Sequence, residues 1–302
     1  MMDTRTLSDR KFKALITYTE NAKEKFGASA ASIVILQDNR ILAEWYSGKH
    51  HFKKGSLEVT SDSMFNLYSL RKTYVGLATA IAVVESEISI DSKLSDVLTK
   101  PELELGHTTV RDLATKTGAK YFGADRIERE EVACYLIKEL TGYNIAELIR
   151  ERIFQPMKLT NTEWISVPKE RLVCDFQAAD GYASVRIGSN EGHERNLYSS
   201  ARELAQWGNL HLNRGQHHAI QLVPKEVFAL SEQLRLDTVD KHRIFGWYYQ
   251  DKCYYATGAA GCHCVIIPEF NAVAVRMLNK YTEDYTVDQE LFNELFYHCL
   301  QA

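Results

Sequence analysis

The stretch Met64–Glu85 constrains this chain more than any other. Its larger part, Thr73 to Val84, is a nearly continuous apolar run. Such a run is too long for an ordinary strand and too short to span a bilayer. It reads as a helix buried on most sides, beginning near Tyr68 or Ser69. Ser69 and Lys72, three residues apart, then share one helix face. A serine hydroxyl is a weak nucleophile until a neighbouring base takes its proton, and a lysine is a base only when burial or another cation depresses its pKa. A buried helix start supplies the burial, and the helix N-terminus adds positive potential that disfavours an ammonium. The same spacing also fits a plainer arrangement, with Ser69 as an N-cap and Lys72 as a snorkelling surface lysine.

Composition narrows the class. The 302 residues are 45% hydrophobic and 25% charged, with a net charge of −4, which gives no basic excess to suggest nucleic acid. No stretch approaches a membrane span. The first residues show no apolar segment of the signal-peptide kind, so the expectation is a cytoplasmic protein. The six cysteines, Cys134, Cys174, Cys253, Cys262, Cys264 and Cys299, lack a disulfide-framework spacing and read as reduced thiols.

Along the chain, residues 8–26 read as a helix closed by Gly27. Residues 31–36 and 41–46 read as a hairpin turning through Gln37–Arg40. The polar segment 50–62 is loop-like. Helices follow at 108–115, 127–140 (ending at Gly142) and 145–154 (ending before Pro156). The middle, 166–196, has weak periodicity and reads as loops. Ser200 and Glu203 form a capping box that opens a helix closed by Gly215. Strand-like runs at 243–249, 253–256, 262–268 and 272–278 precede a last helix over 287–300. Strands at both ends and helices between them predict an α+β unit. Its sheet part spans about 1–60 plus 215–302, and its helical part about 61–214.

Five segments in this order resemble the serine β-lactamase and penicillin-binding protein superfamily, in its branch of class C β-lactamases, esterases and D-aminopeptidases. Residues 63–76 (SMFNLYSLRKTYVG) resemble the nucleophile-helix motif, and 108–118 (TTVRDLATKTG) the segment downstream of it. Residues 139–164, 196–215 (NLYSSARELAQWGNLHLNRG) and 254–278 (YYATGAAGCHCVIIPEFNAVAVRML) match three further family stretches, the last carrying the third motif. The resemblance covers roughly residues 25–280. It implies a β-lactamase/transpeptidase-like fold, with Ser69 as the nucleophile of an acyl-enzyme. Lys72 would be the base, alone or sharing the proton with a tyrosine. The oxyanion hole would be formed by the backbone N–H groups of Ser69 and Ala259, with Thr257 and Gly258 along the substrate strand. It implies no metal and no organic cofactor.

The chain departs from the family pattern twice. Ala256 stands where the third motif often begins with Lys or His, which argues against β-lactam carboxylate recognition. Counting back from Thr141 and Gly142 puts the second motif's tyrosine on Asp125 and its asparagine on Ile127. Tyr121 fills the tyrosine's role if about four residues are inserted; otherwise it is a loop tyrosine packed on the core. Cys262, His263 and Cys264 look like a ligand cluster, but strand alternation sends His263 to the opposite face from the cysteines, a poor metal site. His50–His51 and His217–His218 read as exposed loop pairs. No Gly-x-Ser-x-Gly elbow exists to present a serine to a histidine. The aromatic run 245–255 reads as sheet core and rim, with some side chains at the cleft mouth. The expected function is therefore a serine hydrolase that cleaves a small-molecule ester or amide through acyl-Ser69, with neither nucleic acid nor membrane as a partner. The sequence leaves the oligomeric state open. The second reading is a binding or regulatory module that keeps the fold and has lost turnover.

Overall fold

The computed structural model describes residues 7–8, 10–174, 185–236, 243–281 and 285–302. The chain enters as a short strand, β1 (Leu7–Ser8), and then α1 (Lys13–Phe26), which Gly27 ends at φ 64°. The helix starts later than the sequence suggested because residues 10–12 form a single 3₁₀ turn. Strands β2 (Ala30–Gln37) and β3 (Arg40–Gly48) follow. Asp38 and Asn39 at their tip have φ of 52° and 62°, so the turn is two residues long rather than four. Asp and Asn tolerate that region, and a turn with both central residues in it matches the twist of the strands.

The short strand β4 (Met64–Asn66) leads into a 3₁₀ turn, Tyr68–Arg71, and then α2 (Lys72–Glu85). Every residue from Thr73 to Val83 is buried. Next come α3 (Leu94–Val97) and α4 (Val110–Thr115), the latter started by a reciprocal capping box between Thr109 and Asp112. A small hairpin, β5 (Tyr121–Phe122) with β6 (Ile127–Glu128), pushes the start of α5 to Arg129–Thr141. Asn144 and Glu147 cap α6 (Ile145–Ile149), which continues as a π turn into α7 (Gln155–Met157). Strands β7 (Thr162–Trp164) and β8 (Leu197–Ser200) join β4 in a three-stranded sheet that no alternation in the sequence announced.

Ser200 caps α8 (Ala201–Leu212) by accepting from the Glu203 amide. The box is only half formed. The Glu203 carboxylate instead accepts from the amides of Thr160 and Asn161 and from Thr162 Oγ1, tying the helix to the strand beside it. A minor hairpin, β9 (Gln216–His217) and β10 (Ile220–Gln221), precedes α9 (Lys225–Leu236). The chain closes with β11 (Arg243–Ile244), β12 (Trp247–Tyr249), β13 (Tyr254–Gly258), β14 (Cys262–Ile267), β15 (Ala272–Leu278) and α10 (Tyr285–Gln301).

The two ends of the chain make one eight-stranded antiparallel sheet, ordered β1-β3-β2-β15-β14-β13-β12-β11. This is the α+β arrangement that the terminal strands predicted. Phe12, Phe292 and Phe296, on and beside α1 and α10, pack on one face with Ile33, Val265 and Ala274. Val34, Cys264 and Val275 point to the other face, toward α2 and Leu204 and Trp207 of α8. Covering on both faces explains why β2, β14 and β15 are apolar almost throughout rather than alternating. Helix α8 therefore lies against the sheet, although residue order had grouped it with the helical part. Among the described residues, no helix is long and apolar enough to cross a membrane. All six cysteines are free thiols.

Candidate active site

The turn carrying Ser69 is held from several sides. Tyr68, just before it, sits at φ 49°, a conformation disfavoured for a bulky side chain and tolerated where the surroundings fix it. The Asn66 side chain accepts from the Tyr68 amide at 2.7 Å and donates to the Arg195 carbonyl at 3.0 Å. Arg71, buried, donates to the carbonyls of Glu194 and His193 at 2.8 and 3.0 Å. Behind the turn, α2 is locked to α8: Tyr74 stacks on Trp207 at 3.8 Å, and the indole N–H donates to Thr73 Oγ1. On the sheet side, a Cβ at Gly258 would lie 2.4 Å from the Leu67 carbonyl, so only glycine lets β13 come this close to the serine turn. Gly246 plays the same part on the other flank, where a Cβ would lie 2.3 Å from the Lys72 carbonyl.

These approaches frame an open cavity of about 940 Å³, lined among others by Ser69, Lys72, Lys116, Glu130, Thr257 and Ala259. Gly258, between two lining residues, does not itself line it. The structure thus brings together Ser69, Lys72, Thr257 and Ala259, four residues singled out by the sequence. It does not bring in Tyr121. That ring lies on the outer hairpin with the Lys120 ammonium 4.8 Å and the Arg126 guanidinium 4.4 Å from its centroid, and it does not line the cavity.

The position beside Lys72 belongs instead to Glu130, in the first turn of α5. Its Oε1 is 3.4 Å from Lys72 Nζ and 3.7 Å from Lys116 Nζ. Burial would raise the Glu130 pKa, but Lys116, Lys72 and Arg71 outweigh it and hold the carboxyl down to about 2. Burial lowers Lys72; Glu130 pulls it back up, and Arg71 and Arg243 push it down further. Lys116 is pushed well below the ordinary lysine range by burial and by Lys72, against the pull of Glu130. Two desolvated amines share one carboxylate, so losing a proton from one relieves the other.

Behind β13 lies a buried polar chain that the sequence did not reveal. Thr257 Oγ1 is 2.9 Å from His263 Nδ1, and His263 Nε2 is 2.9 Å from Asp288 Oδ2. Asp288 also receives the fully buried Arg276 guanidinium and the Tyr18 hydroxyl. Burial and Arg276 depress the His263 imidazole to about 4, leaving it neutral near pH 7. Burial works to raise Asp288, but hydrogen bonds from His263 and Arg276 hold its carboxyl well below the usual range. The alternation argument for residues 262–264 is met: His263 faces this chain, while Cys262 donates to the Asn66 and Leu278 carbonyls.

Two other readings need correction. His50 and His51 are buried, and His50 bonds Ser63 Oγ at 2.7 Å and the Glu170 carbonyl at 3.1 Å. Trp247, Tyr249 and Tyr254 of the aromatic run line a separate cavity with His211 and Phe228, not the one holding Ser69. Among the described residues, one group of metal-type donors has its ligand atoms within 4.8 Å of one another: Cys134, Glu191 and His193. None of the three lines the Ser69 cavity.

Comparison with known proteins follows the same lines. The model of the Beta-lactamase family matches residues 15–293. A protein of Alkalihalophilus pseudofirmus, described as uncharacterized, is 26% identical over 99% of both chains. Among solved structures, a putative β-lactamase from Bacteroides dorei superposes with a TM-score of 0.74 at 13% identity, covering 96% of this chain and 99% of that one. A penicillin-binding protein homologue from Caulobacter crescentus gives 0.73 at 15% identity (97% and 98% covered), and a class C β-lactamase from Rhodobacter sphaeroides 0.72 at 16% (95% and 99%).

Proposed function

The chain belongs to the β-lactamase family, whose members are generally serine hydrolases, and from that premise we propose that it cleaves a small ester or amide through an acyl-Ser69 intermediate. The observation that carries this reading is the meeting of Ser69, Lys72 and the Thr257–Ala259 strand in one cavity. Neutral Lys72 takes the Ser69 proton as Oγ attacks the carbonyl carbon. The oxyanion that forms is held by the backbone N–H groups of Ser69 and Ala259, donors fixed before the reaction begins. The Lys72 ammonium then returns the proton to the leaving oxygen or nitrogen. Water attacks the acyl-enzyme by the same proton path in reverse. Glu130 steadies the ammonium while it exists, and Lys116 divides that carboxylate's attraction, which keeps Lys72 from being held permanently protonated. Ala256 offers no cation for a β-lactam carboxylate, so β-lactam hydrolysis is not the role proposed. Localisation in the cytoplasm stays part of this proposal, as does the absence of a metal or organic cofactor.

A second reading has one observation in its favour: the Lys72–Glu130 contact stabilises an ammonium, which suits a binding module without turnover. Intact-mass spectrometry after incubation with a fluorophosphonate, a p-nitrophenyl ester and a penicillin separates the two. The hydrolase reading expects an adduct on the wild type, none on Ser69→Ala, sharply slower labelling of Lys72→Ala, and an unchanged rate for Tyr121→Phe. A folded wild-type protein that no probe labels refutes it.

A further inference from the structure

Three donors of different chemistry converge away from the Ser69 cavity. Cys134 Sγ, a Glu191 carboxylate oxygen and a His193 ring nitrogen all lie within 4.8 Å of one another. The thiol comes from the middle of α5 and is 4% exposed. The other two come from the loop before β8, which starts its approach 57 residues further on. Gly192 makes the meeting possible. It sits between the two loop donors at φ 97°, and a Cβ there would lie 2.6 Å from the Ala146 amide nitrogen and from Ile145 Cβ. Only glycine lets the loop lie this close to the start of α6. The Glu191 carbonyl accepts from the Ala146 amide at 3.3 Å and from the Cys134 thiol at 3.6 Å, so the loop backbone is tied to both helices.

His193 Nδ1 is the unsatisfied member of the group. It is buried and has no hydrogen-bond partner among the described residues. The Glu191 carboxylate stands 3.7 Å from it, beyond hydrogen-bond reach. A buried ring nitrogen without a partner costs free energy, and a cation supplies the partner. Zinc at about 2.3 Å from sulfur and about 2.0 Å from nitrogen and oxygen holds tetrahedral ligands roughly 3.3 to 3.7 Å apart. The His193–Glu191 pair already has that spacing, and side-chain rotation of about 1 Å closes the rest. Burial pushes the Cys134 thiol up, with the Ile145 amide working against it. A cation that takes the sulfur as thiolate displaces that proton.

The loop leads from this cluster to the serine turn. The carbonyls of three consecutive residues, His193, Glu194 and Arg195, accept from Arg71 and from the Asn66 side chain, the groups that hold the turn at Tyr68. We propose that Cys134, Glu191 and His193 bind one Zn²⁺ ion, with water in the fourth position, and that the ion fixes residues 191–195 against α5 and so steadies the turn carrying Ser69. Mixed sulfur, nitrogen and oxygen donors suit Zn²⁺, whereas Mg²⁺ and Ca²⁺ take oxygen. Glu191, with its side chain 55% exposed, gives the ion a path in from solvent. It is a structural ion rather than a cofactor of the reaction, since none of its ligands lines the Ser69 cavity. Neither the site nor its hold on the loop depends on the acyl-Ser69 reading.

The test is titration of the reduced, chelator-treated full chain with Co²⁺ and then Zn²⁺. Co²⁺ should give thiolate-to-metal charge-transfer absorption that saturates at one equivalent, and Zn²⁺ should displace it. Cys134→Ala should abolish that absorption. His193→Gln should weaken Zn²⁺ binding by about 100-fold or more, beyond what losing an indirect hydrogen-bond partner costs. If Cys134→Ala does not fold, Glu191→Ala combined with His193→Gln replaces it and should likewise abolish the absorption. Hydrogen exchange reads the hold on the loop. With free Zn²⁺ at about 100 times its dissociation constant, amides of residues 191–195 should exchange up to about 100-fold more slowly in the wild type and no more slowly in the variants. No charge-transfer absorption overturns the site. Absorption that survives the substitutions means an adventitious ion at another thiol, and also overturns it. Zn²⁺ bound through these residues with no slowing of exchange over 191–195 overturns the hold on the serine turn.

Discussion

Replacing Glu130 by Gln removes one charge and almost no volume from the cavity floor. At the observed 3.4 Å, an effective dielectric of about 20 gives Coulomb's law an attraction of about 5 kcal/mol between Lys72 and Glu130. If Lys72 alone felt that loss, the neutral amine would become accessible about 3 to 4 pH units lower, which is the upper limit. Lys116 also loses its carboxylate partner and takes up part of the change. Lys72 is 21% exposed, so water screens some of the rest. The expectation is therefore a displacement of about 1 to 2 pH units toward acid in the limb of the rate profile that reports deprotonation of the base. The assay is the second-order rate constant for fluorophosphonate labelling of Ser69 across about pH 5 to 10, which reads nucleophile activation without knowledge of the substrate. Lys72→Ala is the control and should abolish the limb. A limb that stays in place in Glu130→Gln, or moves to higher pH, refutes the reasoning. Either result means that the base which activates Ser69 does not feel Glu130.

Gly258→Ala places a Cβ 2.4 Å from the Leu67 carbonyl; β13 must withdraw, and labelling should fall by about 100-fold or more as the second oxyanion donor moves off. A rate within threefold of wild type contradicts this. Asp288→Asn strips the fully buried Arg276 of its charged partner, and urea unfolding should show a loss of about 3 to 5 kcal/mol; a loss under about 1 kcal/mol means Arg276 finds other compensation. Part of the pH dependence of stability follows from two of the buried imidazoles. Burial lowers His211 to about 3, and burial with Arg276 lowers His263 to about 4. Each is protonated in the unfolded chain below about pH 6.5 but stays neutral in the folded protein, so unfolding takes up as many as two protons. Stability should fall as pH drops from about 6.5 to about 4, and these two groups contribute up to about 2.7 kcal/mol per pH unit of that fall. Urea midpoints that do not change across that window disprove it.

What the sequence disclosed and what it hid divide along the range of the interactions. The Ser69 helix was legible because burial on every side leaves a continuous apolar run, and a run needs no partner to be recognised. The hairpin around Asp38 and Asn39, the αL stop at Gly27 and the helices beginning near residues 108 and 145 are fixed within a few residues, and their limits were missed by one to five residues at most sites, since the caps at Thr109 and Asn144 set the starts. Glu130 was not legible. It stands next to Glu131 at a helix start where either carboxylate suits the dipole, and only the packing of α5 on α2 turns Glu130 toward Lys72. Lys116 was hidden in the same way, since its φ of 57° at the end of α4 aims it inward and its own segment says nothing of that. Tyr121 is the tyrosine that lies nearest in sequence to the position the family motif assigns to one. Gly123, whose Cβ would lie 2.2 Å from the Glu102 carbonyl, instead fixes the hairpin against that segment and leaves the ring among Lys120 and Arg126. His50 reads as a surface residue because its neighbours are polar, yet Ser63 and the distant Glu170 carbonyl satisfy it in the interior.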